Sequence, residues 1–259
     1  MYPFALYRPA SLADALAAFA AAGEQKYLAG GQTLLAALKL RLARPDRLID
    51  IARLPELKGI RAEDGFLVVG AAATHAEVAG VDIPALAALA GSIGDLQVRN
   101  MGTLGGALAN NDPAGDHQAA VLGLGAEIRT DRRCISADAF FTGMFETALE
   151  PGELIVAVAY PRPLRAGYAK LRNPASGYPV VGVFVAETEA GVRVAVTGAG
   201  HCVFRLPEFE RALAANFSAA ALQGLAVPPG DLNRDLHATA EYRAHLVGVL
   251  AARAVAAAG

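Results

Sequence analysis

Two glycine-rich turns dominate this sequence. Ala29-Gly30-Gly31-Gln32-Thr33-Leu34-Leu35 is answered about seventy residues later by Gly102-Thr103-Leu104-Gly105-Gly106-Ala107. Each joins an apolar run to a helix-forming run, which predicts a sharp connection whose backbone N–H groups stay open to an approaching oxygen. Taken singly, such a pair is a tight turn that needs positive φ. Two of them, the second followed by Asn110-Asn111-Asp112-Pro113-Ala114-Gly115-Asp116, suit the diphosphate and hydroxyls of a ribose- or ribityl-bearing ligand.

The common nucleotide signatures are absent. Gly198-Ala199-Gly200 continues as His201-Cys202-Val203 without a third glycine, and neither turn leads into Gly-Lys-Ser/Thr. A formal net charge of −2, with no run of basic residues, excludes nucleic acid and anionic membrane surfaces as partners. Asp14, Asp82, Arg99 and Arg253 interrupt the alanine-rich stretches before any reaches the roughly 20 residues of a membrane span. The first nine residues carry neither a basic leader nor an Arg-rich amphipathic stretch, so a soluble, cytoplasmic protein is expected. Cys134 and Cys202 stand alone in different segments, without the CxxC pairs that hold zinc or an iron–sulfur cluster. Both are expected to be small buried apolar residues.

With 259 residues the chain has room for one large or two ordinary domains. Ser11 predicts a helix that stops at Gly23, with the Asp14 carboxylate placed to reach back to the cap's N–H. Residues 26–29 predict a strand, and the spacing of Leu34, Leu35, Leu38 and Leu42 a helix that lasts until Pro45. Strands follow at 47–51 and 66–70, helices at 77–80 and 83–93, a glycine-rich loop through 102–113, a helix around 115–122, and strands at 127–130 and 153–160. Pro161 and Pro163 mark a boundary near 161–167. Beyond it come strands at 168–172, 178–187 and 192–197, the last two joined as a hairpin around Ala190-Gly191, and a final helix over about 239–257.

Taken in order, several strings resemble one known family. They are Tyr27-Leu28-Ala29-Gly30-Gly31-Gln32-Thr33-Leu34-Leu35, the stretch 70–78, Val98-Arg99-Asn100-Met101-Gly102-Thr103-Leu104-Gly105-Gly106, and Asp112-Pro113-Ala114-Gly115-Asp116. Asn173-Pro174-Ala175-Ser176-Gly177-Tyr178, Val196-Thr197-Gly198-Ala199-Gly200 and Glu241-Tyr242-Arg243-Ala244-His245-Leu246 continue the series over nearly the whole chain. The family is that of the FAD-binding medium subunits of molybdenum hydroxylases, which includes the medium chain of carbon monoxide dehydrogenase and the FAD-binding subunit of xanthine dehydrogenase.

The resemblance implies an α+β fold. A vanillyl-alcohol-oxidase-like (PCMH-type) FAD-binding domain of two subdomains would fill residues 1–163, divided into about 1–55 and 56–163. A C-terminal domain with a three-stranded sheet and helices would fill 164–259. Carried over by position, Leu28, Ala29, Gly30, Gly31, Gln32, Thr33 and Leu34 would wrap the diphosphate and part of the ring system. Gly102, Thr103, Gly105 and Gly106 would bind from the other side, Asp116 would bond cofactor hydroxyls, Ile93 and Ile155 would line the flavin, and Lys170 would stand near it. Ala107 replaces the asparagine of many relatives, which removes one side-chain hydrogen bond while the backbone donors of Gly105 and Gly106 remain.

The same resemblance implies a heteromer, a dimer of heterotrimers. Electrons would leave a molybdopterin site on a large partner, cross [2Fe-2S] clusters on a small partner, reach FAD on this chain and pass to NAD+, a quinone or another acceptor. Neither molybdopterin nor cluster would sit on this chain. The residues themselves offer no Ser/His/Asp set, paired carboxylates or activated cysteine, so the chemistry belongs to a cofactor. A stand-alone FAD-dependent oxidase or reductase, with a substrate pocket in its C-terminal domain, is a competing reading; a non-catalytic interaction module is another.

His75, after Thr74, either caps a short helix or approaches the cofactor. Tyr178 either shields a flavin face or is an ordinary half-buried strand residue. His117, His201, His237 and His245 are scattered, without the i, i+4 pairing of a metal site. Arg132-Arg133 is expected to form a solvated turn.

Overall fold

The computed structural model describes residues 1–259, and its strands form three main sheets. The first holds β1 (Ala5–Tyr7), β2 (Gln25–Leu28) and β3 (Arg47–Asp50), parallel in the order β1-β3-β2. Parallel strands need crossovers, and α1 (Leu12–Phe19) and α2 (Leu34–Lys39) supply them. Ser11 caps α1 by accepting the Asp14 N–H at 3.2 Å. The Asp14 carboxylate, however, takes the Ala10 N–H and the Tyr7 hydroxyl rather than the cap's own amide. α1 ends at Phe19, short of Gly23, where the Phe19 ring stacks on Tyr27 at 4.6 Å and the chain turns back into β2.

The second sheet is antiparallel throughout. It is built from β4 (Ile60–Glu63), β5 (Phe66–Gly70), β6 (Glu127–Thr130) and β7 (Cys134–Ser136) and, after a small hairpin of β8 (Phe141–Gly143) with β9 (Glu146–Thr147), from β10 (Ile155–Pro161). The order β4-β5-β10-β6-β7 places the last strand in the centre. Between β5 and β6 the chain lays down α3 (His75–Val78), α4 (Pro84–Gly91), α5 (Leu96–Met101), α6 (Leu104–Asn110) and α7 (Asp116–Leu124); α8 (Ala137–Phe140) follows β7.

The stretch expected as a loop over 102–113 is therefore mostly helix. Thr103 caps α6 by accepting the Gly106 N–H at 3.2 Å, and Gly105 and Gly106 fall in its first turn. Two glycines mask a helix in any propensity-based reading. The cap, together with Leu104 and Leu108 buried in the core, offsets them.

The third sheet comprises β11 (Arg165–Arg172), β12 (Pro179–Thr188), β13 (Gly191–Thr197) and β14 (Phe204–Arg205), antiparallel in that order, followed by α9 (Pro207–Ala215) and α10 (Ala240–Ala257). It thus has four strands rather than three, because β14 is too short to show a period of its own. β12 is covered on both faces. Phe184 and Ala186 join the core around α7, whereas Val181, Val183 and Val185 pack with α10. A strand buried twice reads as a continuous apolar run, and each such valine adds roughly 1.5–3 kcal/mol by leaving water.

The cysteines depart from expectation. Cys134 is exposed, on an outward-facing position of β7, and Cys202 is half-buried, packed against the edge of the core around α7. No helix is long and apolar enough to cross a membrane.

Candidate functional site

The two glycine turns meet. A Cβ placed on Gly30 would overlap the carbonyl oxygen of Met101 and lie 2.8 Å from Gly102 Cα, so the first turn presses directly on the backbone that enters the second. Gly31 serves a different end. Its φ of +71° lets the chain swing from β2 into α2. The second turn is locked in turn to α3, through the Thr74–Thr103 bridge and the His75 N–H donated to Gly102 O at 2.9 Å.

Between these turns opens a cavity of about 640 Å³. The amides from Gly30 to Leu34, along one wall, donate no hydrogen bond within the chain. The second turn differs from its sequence expectation. Gly105 N–H is spent on Ala71 O at 2.8 Å and Gly106 N–H on the Thr103 hydroxyl, so the backbone donors assigned to this pair are consumed by the fold. What Gly105 provides is close approach, because a Cβ there would come within 2.6 Å of Ala71 Cβ. The unspent backbone donors on the cavity wall are therefore concentrated in 30–34.

α7 carries the polar part of the site. All of its residues are buried, yet its first turn is Asp116-His117-Gln118. Buried polar groups require partners, and these find theirs along the cavity wall. Asp116 Oδ1 accepts from Lys170 Nζ and from the Tyr168 hydroxyl, each at 2.7 Å, which leaves Oδ2 without a bond. Burial pushes the Asp116 carboxyl up, and the Lys170 ammonium opposes that rise. Lys170 also reaches Ser92 O at 3.2 Å and Gly177 O at 3.3 Å, so it clamps the third sheet to both α4 and α7.

His117 Nε2 lies 3.0 Å from His75 Nδ1, with both rings on the cavity wall. Burial pulls His75 down to about 4 and His117 well below its usual range. Both are neutral at pH 7, whereas the unfolded chain titrates its histidines near 6.5. The unfolded state then binds more protons between about pH 6.5 and 4, and stability falls as the pH drops through that window, His75 contributing about 3 kcal/mol. Urea midpoints measured from pH 7.5 down to 5 should show this slope, flattened in His75→Gln. An unchanged slope in the variant would contradict the assignment.

Arg133 is exposed, as expected of a solvated turn, but it is not free. Its guanidinium grips the buried Glu153 carboxylate through Nε and Nη2, both at 2.9 Å, and Thr130 Oγ1 and the Glu150 N–H complete the set. These donors hold Glu153 down to about 2 and fix the approach to β10, where Leu154 and Ile155 line the cavity. Arg132 lies at the surface as well, paired with Glu150.

Most of the sequence-nominated residues line one cavity. Ala29, Gly30, Gly31, Gln32, Thr33 and Leu34 form one side; Gly102, Thr103, Gly105 and Gly106 another; Ile93, Asp116 and Ile155 the remainder. Leu28 and Lys170 stand behind the wall, the first ending β2 and the second touching the lining residues Asp116 and Gly177. Thr74, rather than His75, is the cap of α3, in a capping box with Glu77. Tyr178 is half-exposed and also borders a neighbouring cavity of about 310 Å³, together with Asp112 and Ser176.

The pairing of His75 with His117 was hidden because 42 residues separate them. The one available signal was a run of polar residues opening an otherwise apolar helix. The donor set suits a flavin dinucleotide: free amides for a diphosphate, an unfilled carboxylate oxygen for a hydroxyl, and Ile93, Leu154 and Ile155 for an apolar ring.

Comparison with known proteins agrees. Residues 2–163 match the family described as the FAD binding domain in molybdopterin dehydrogenase. The carbon monoxide dehydrogenase medium chain of Hydrogenophaga pseudoflava is 33% identical over 98% of this chain and 96% of its own length. The nicotine 6-hydroxylase medium subunit of Paenarthrobacter nicotinovorans is 33% identical over 97% and 95%. Among solved structures, a chain of the reconstituted CO dehydrogenase from Oligotropha carboxidovorans superposes with a TM-score of 0.90 at 31% identity, covering 99% of this chain and 97% of that one.

Proposed function

From the premise that this chain belongs to the FAD-binding domain family of molybdopterin dehydrogenases, we propose that it is the electron-relay subunit of a heteromeric molybdenum hydroxylase. Held by this chain, FAD would supply the redox centre between [2Fe-2S] clusters of a small partner, fed by molybdopterin on a large one, and an acceptor such as NAD+ or a quinone. The medium-subunit names of relatives that match it end to end support this reading. The assembly we propose is a dimer of heterotrimers in the cytoplasm. The domain reading is a PCMH-type unit over 1–163, with subdomains of about 1–55 and 56–163, and a C-terminal domain over 164–259.

The observation that carries the proposal is the run of unspent amides at 30–34 beside a cavity of dinucleotide-binding size. Bound FAD supplies a centre that takes electrons singly and releases them in pairs. The chain's part is to hold and shield it. The amides of Gly30 to Leu34 receive the diphosphate, Asp116 Oδ2 accepts from a cofactor hydroxyl, and Ile93 with Ile155 keeps water from the ring. Lys170 holds Asp116 in place. Tyr178, which lines both cavities, would shield a flavin face.

A single experiment separates this reading from a self-sufficient oxidase. The purified chain should be yellow and release FAD on denaturation. Its flavin should stay oxidised with candidate substrates alone and bleach only when the iron–sulfur and molybdenum partners are added. Bleaching by a small substrate without partners would overturn the electron-relay role.

A further inference from the structure

His75 and His117 form a pair that no step so far has used. Their facing nitrogens, Nδ1 of His75 and Nε2 of His117, share one hydrogen bond of 3.0 Å, with the ring planes tilted by 37°. At the outer ends the two differ. His117 Nδ1 is buried and has no partner. His75 Nε2 also lacks a protein partner but stays accessible at the cavity wall, close enough to Gly102 that a Cβ there would come within 2.6 Å of it.

Each neutral ring carries one proton, so only two arrangements keep the hydrogen bond between the facing nitrogens. If His75 donated through Nδ1, His117 would carry its proton on Nδ1 and bury an N–H with no acceptor. If His117 donates through Nε2, what remains buried is only a lone pair, and the His75 proton is forced onto Nε2. An orphaned buried N–H is the rarer and costlier defect. The second arrangement is therefore preferred.

We infer that His75 presents an Nε2–H donor to the bound FAD, in a tautomer selected by His117. This rests on the FAD reading above and adds a cofactor contact to it. The donor recognises an oxygen or nitrogen acceptor on the cofactor. His117 acts through His75 as a positioning residue and does not itself touch the ligand through a bonded atom.

Long-range proton–nitrogen NMR of the imidazoles in the full chain, with and without FAD, reports the tautomer directly. The expected result is His75 protonated at Nε2, with that proton shifted on FAD loading, and a mixture of tautomers in His117→Leu. Titration with FAD should show His75→Leu weakened by about three- to tenfold, the scale of one hydrogen bond, with His75→Gln close to the unaltered chain because its amide keeps a donor. His75 protonated at Nδ1 in the FAD-loaded chain, or unchanged affinity in His75→Leu, would overturn the inference while leaving FAD binding intact. A chain that takes up no FAD at all would overturn both, and the titration distinguishes the two cases.

Discussion

Gly30→Ala should leave the chain without bound flavin. The added methyl would occupy the place of the Met101 carbonyl oxygen and sit 2.8 Å from Gly102 Cα. Both obstacles are backbone, so no side chain can rotate away. Relief requires the two turns to part, which widens the cavity at the wall formed by the free amides. The strain lies at or beyond the upper end of the roughly 1–3 kcal/mol that overpacking costs.

Gly31→Ala should be milder. Its methyl meets the Leu35 side chain at 2.9 Å, which can move, and the remaining penalty is that of holding alanine at positive φ, roughly 1–2 kcal/mol. Gly248→Ala is the internal control. Nothing lies within 4 Å of that position in the middle of α10, and the same substitution there should stabilise by about 1 kcal/mol with full flavin content. Flavin absorbance per chain and thermal unfolding of the three variants decide the matter. Full flavin occupancy in Gly30→Ala would mean that the convergence of the turns is irrelevant to the cofactor.

The first turn was legible in the sequence because its function and its local conformation coincide. Gly31 needs positive φ, Gly30 needs the absence of a side chain, and both requirements leave glycine in the text. The second turn was found for the right place and the wrong reason. Gly105 and Gly106 look like open donors in the sequence, but α6 and Ala71 O consume their amides, a fact fixed by tertiary pairing alone. The consequence reaches Ala107, since a missing asparagine there is not compensated by the backbone donors first assigned to that turn.

Lys170 is a related case. Its nomination as a basic residue near the cofactor came by resemblance, and its bonds to Asp116 Oδ1, Ser92 O and Gly177 O are set by tertiary pairing that no spacing in the sequence announces. Glu153 and the histidine pair escaped entirely. Their partners lie 20 and 42 residues away, beyond any spacing rule. β12, by contrast, declared itself through an unbroken apolar run, because two-sided burial removes the alternation that marks a half-exposed strand.

Lys170→Met separates the structural role of the clamp from cofactor binding. Removing the ammonium leaves the Asp116 carboxylate, only 4% exposed, without its countercharge, and breaking a buried pair from one side typically costs about 3–5 kcal/mol. The bonds to Ser92 O and Gly177 O go with it, so the third sheet should loosen from α4 and α7. Adding Asp116→Asn removes the stranded charge while keeping an oxygen for the Tyr168 hydroxyl. The double variant should therefore recover much of the loss, with a coupling of about 2 kcal/mol in a thermal-unfolding cycle. Its flavin affinity should not recover, because the free carboxylate oxygen has become an amide. A lost hydrogen bond to a charged group corresponds to a fall of roughly ten- to a hundredfold. A double variant as stable as the single variant but no more would place the damage in the lost carbonyl contacts rather than in the stranded charge. One that binds FAD at full strength would make Asp116 purely an anchor for Lys170, and the hydroxyl contact would have to come from elsewhere in the cavity.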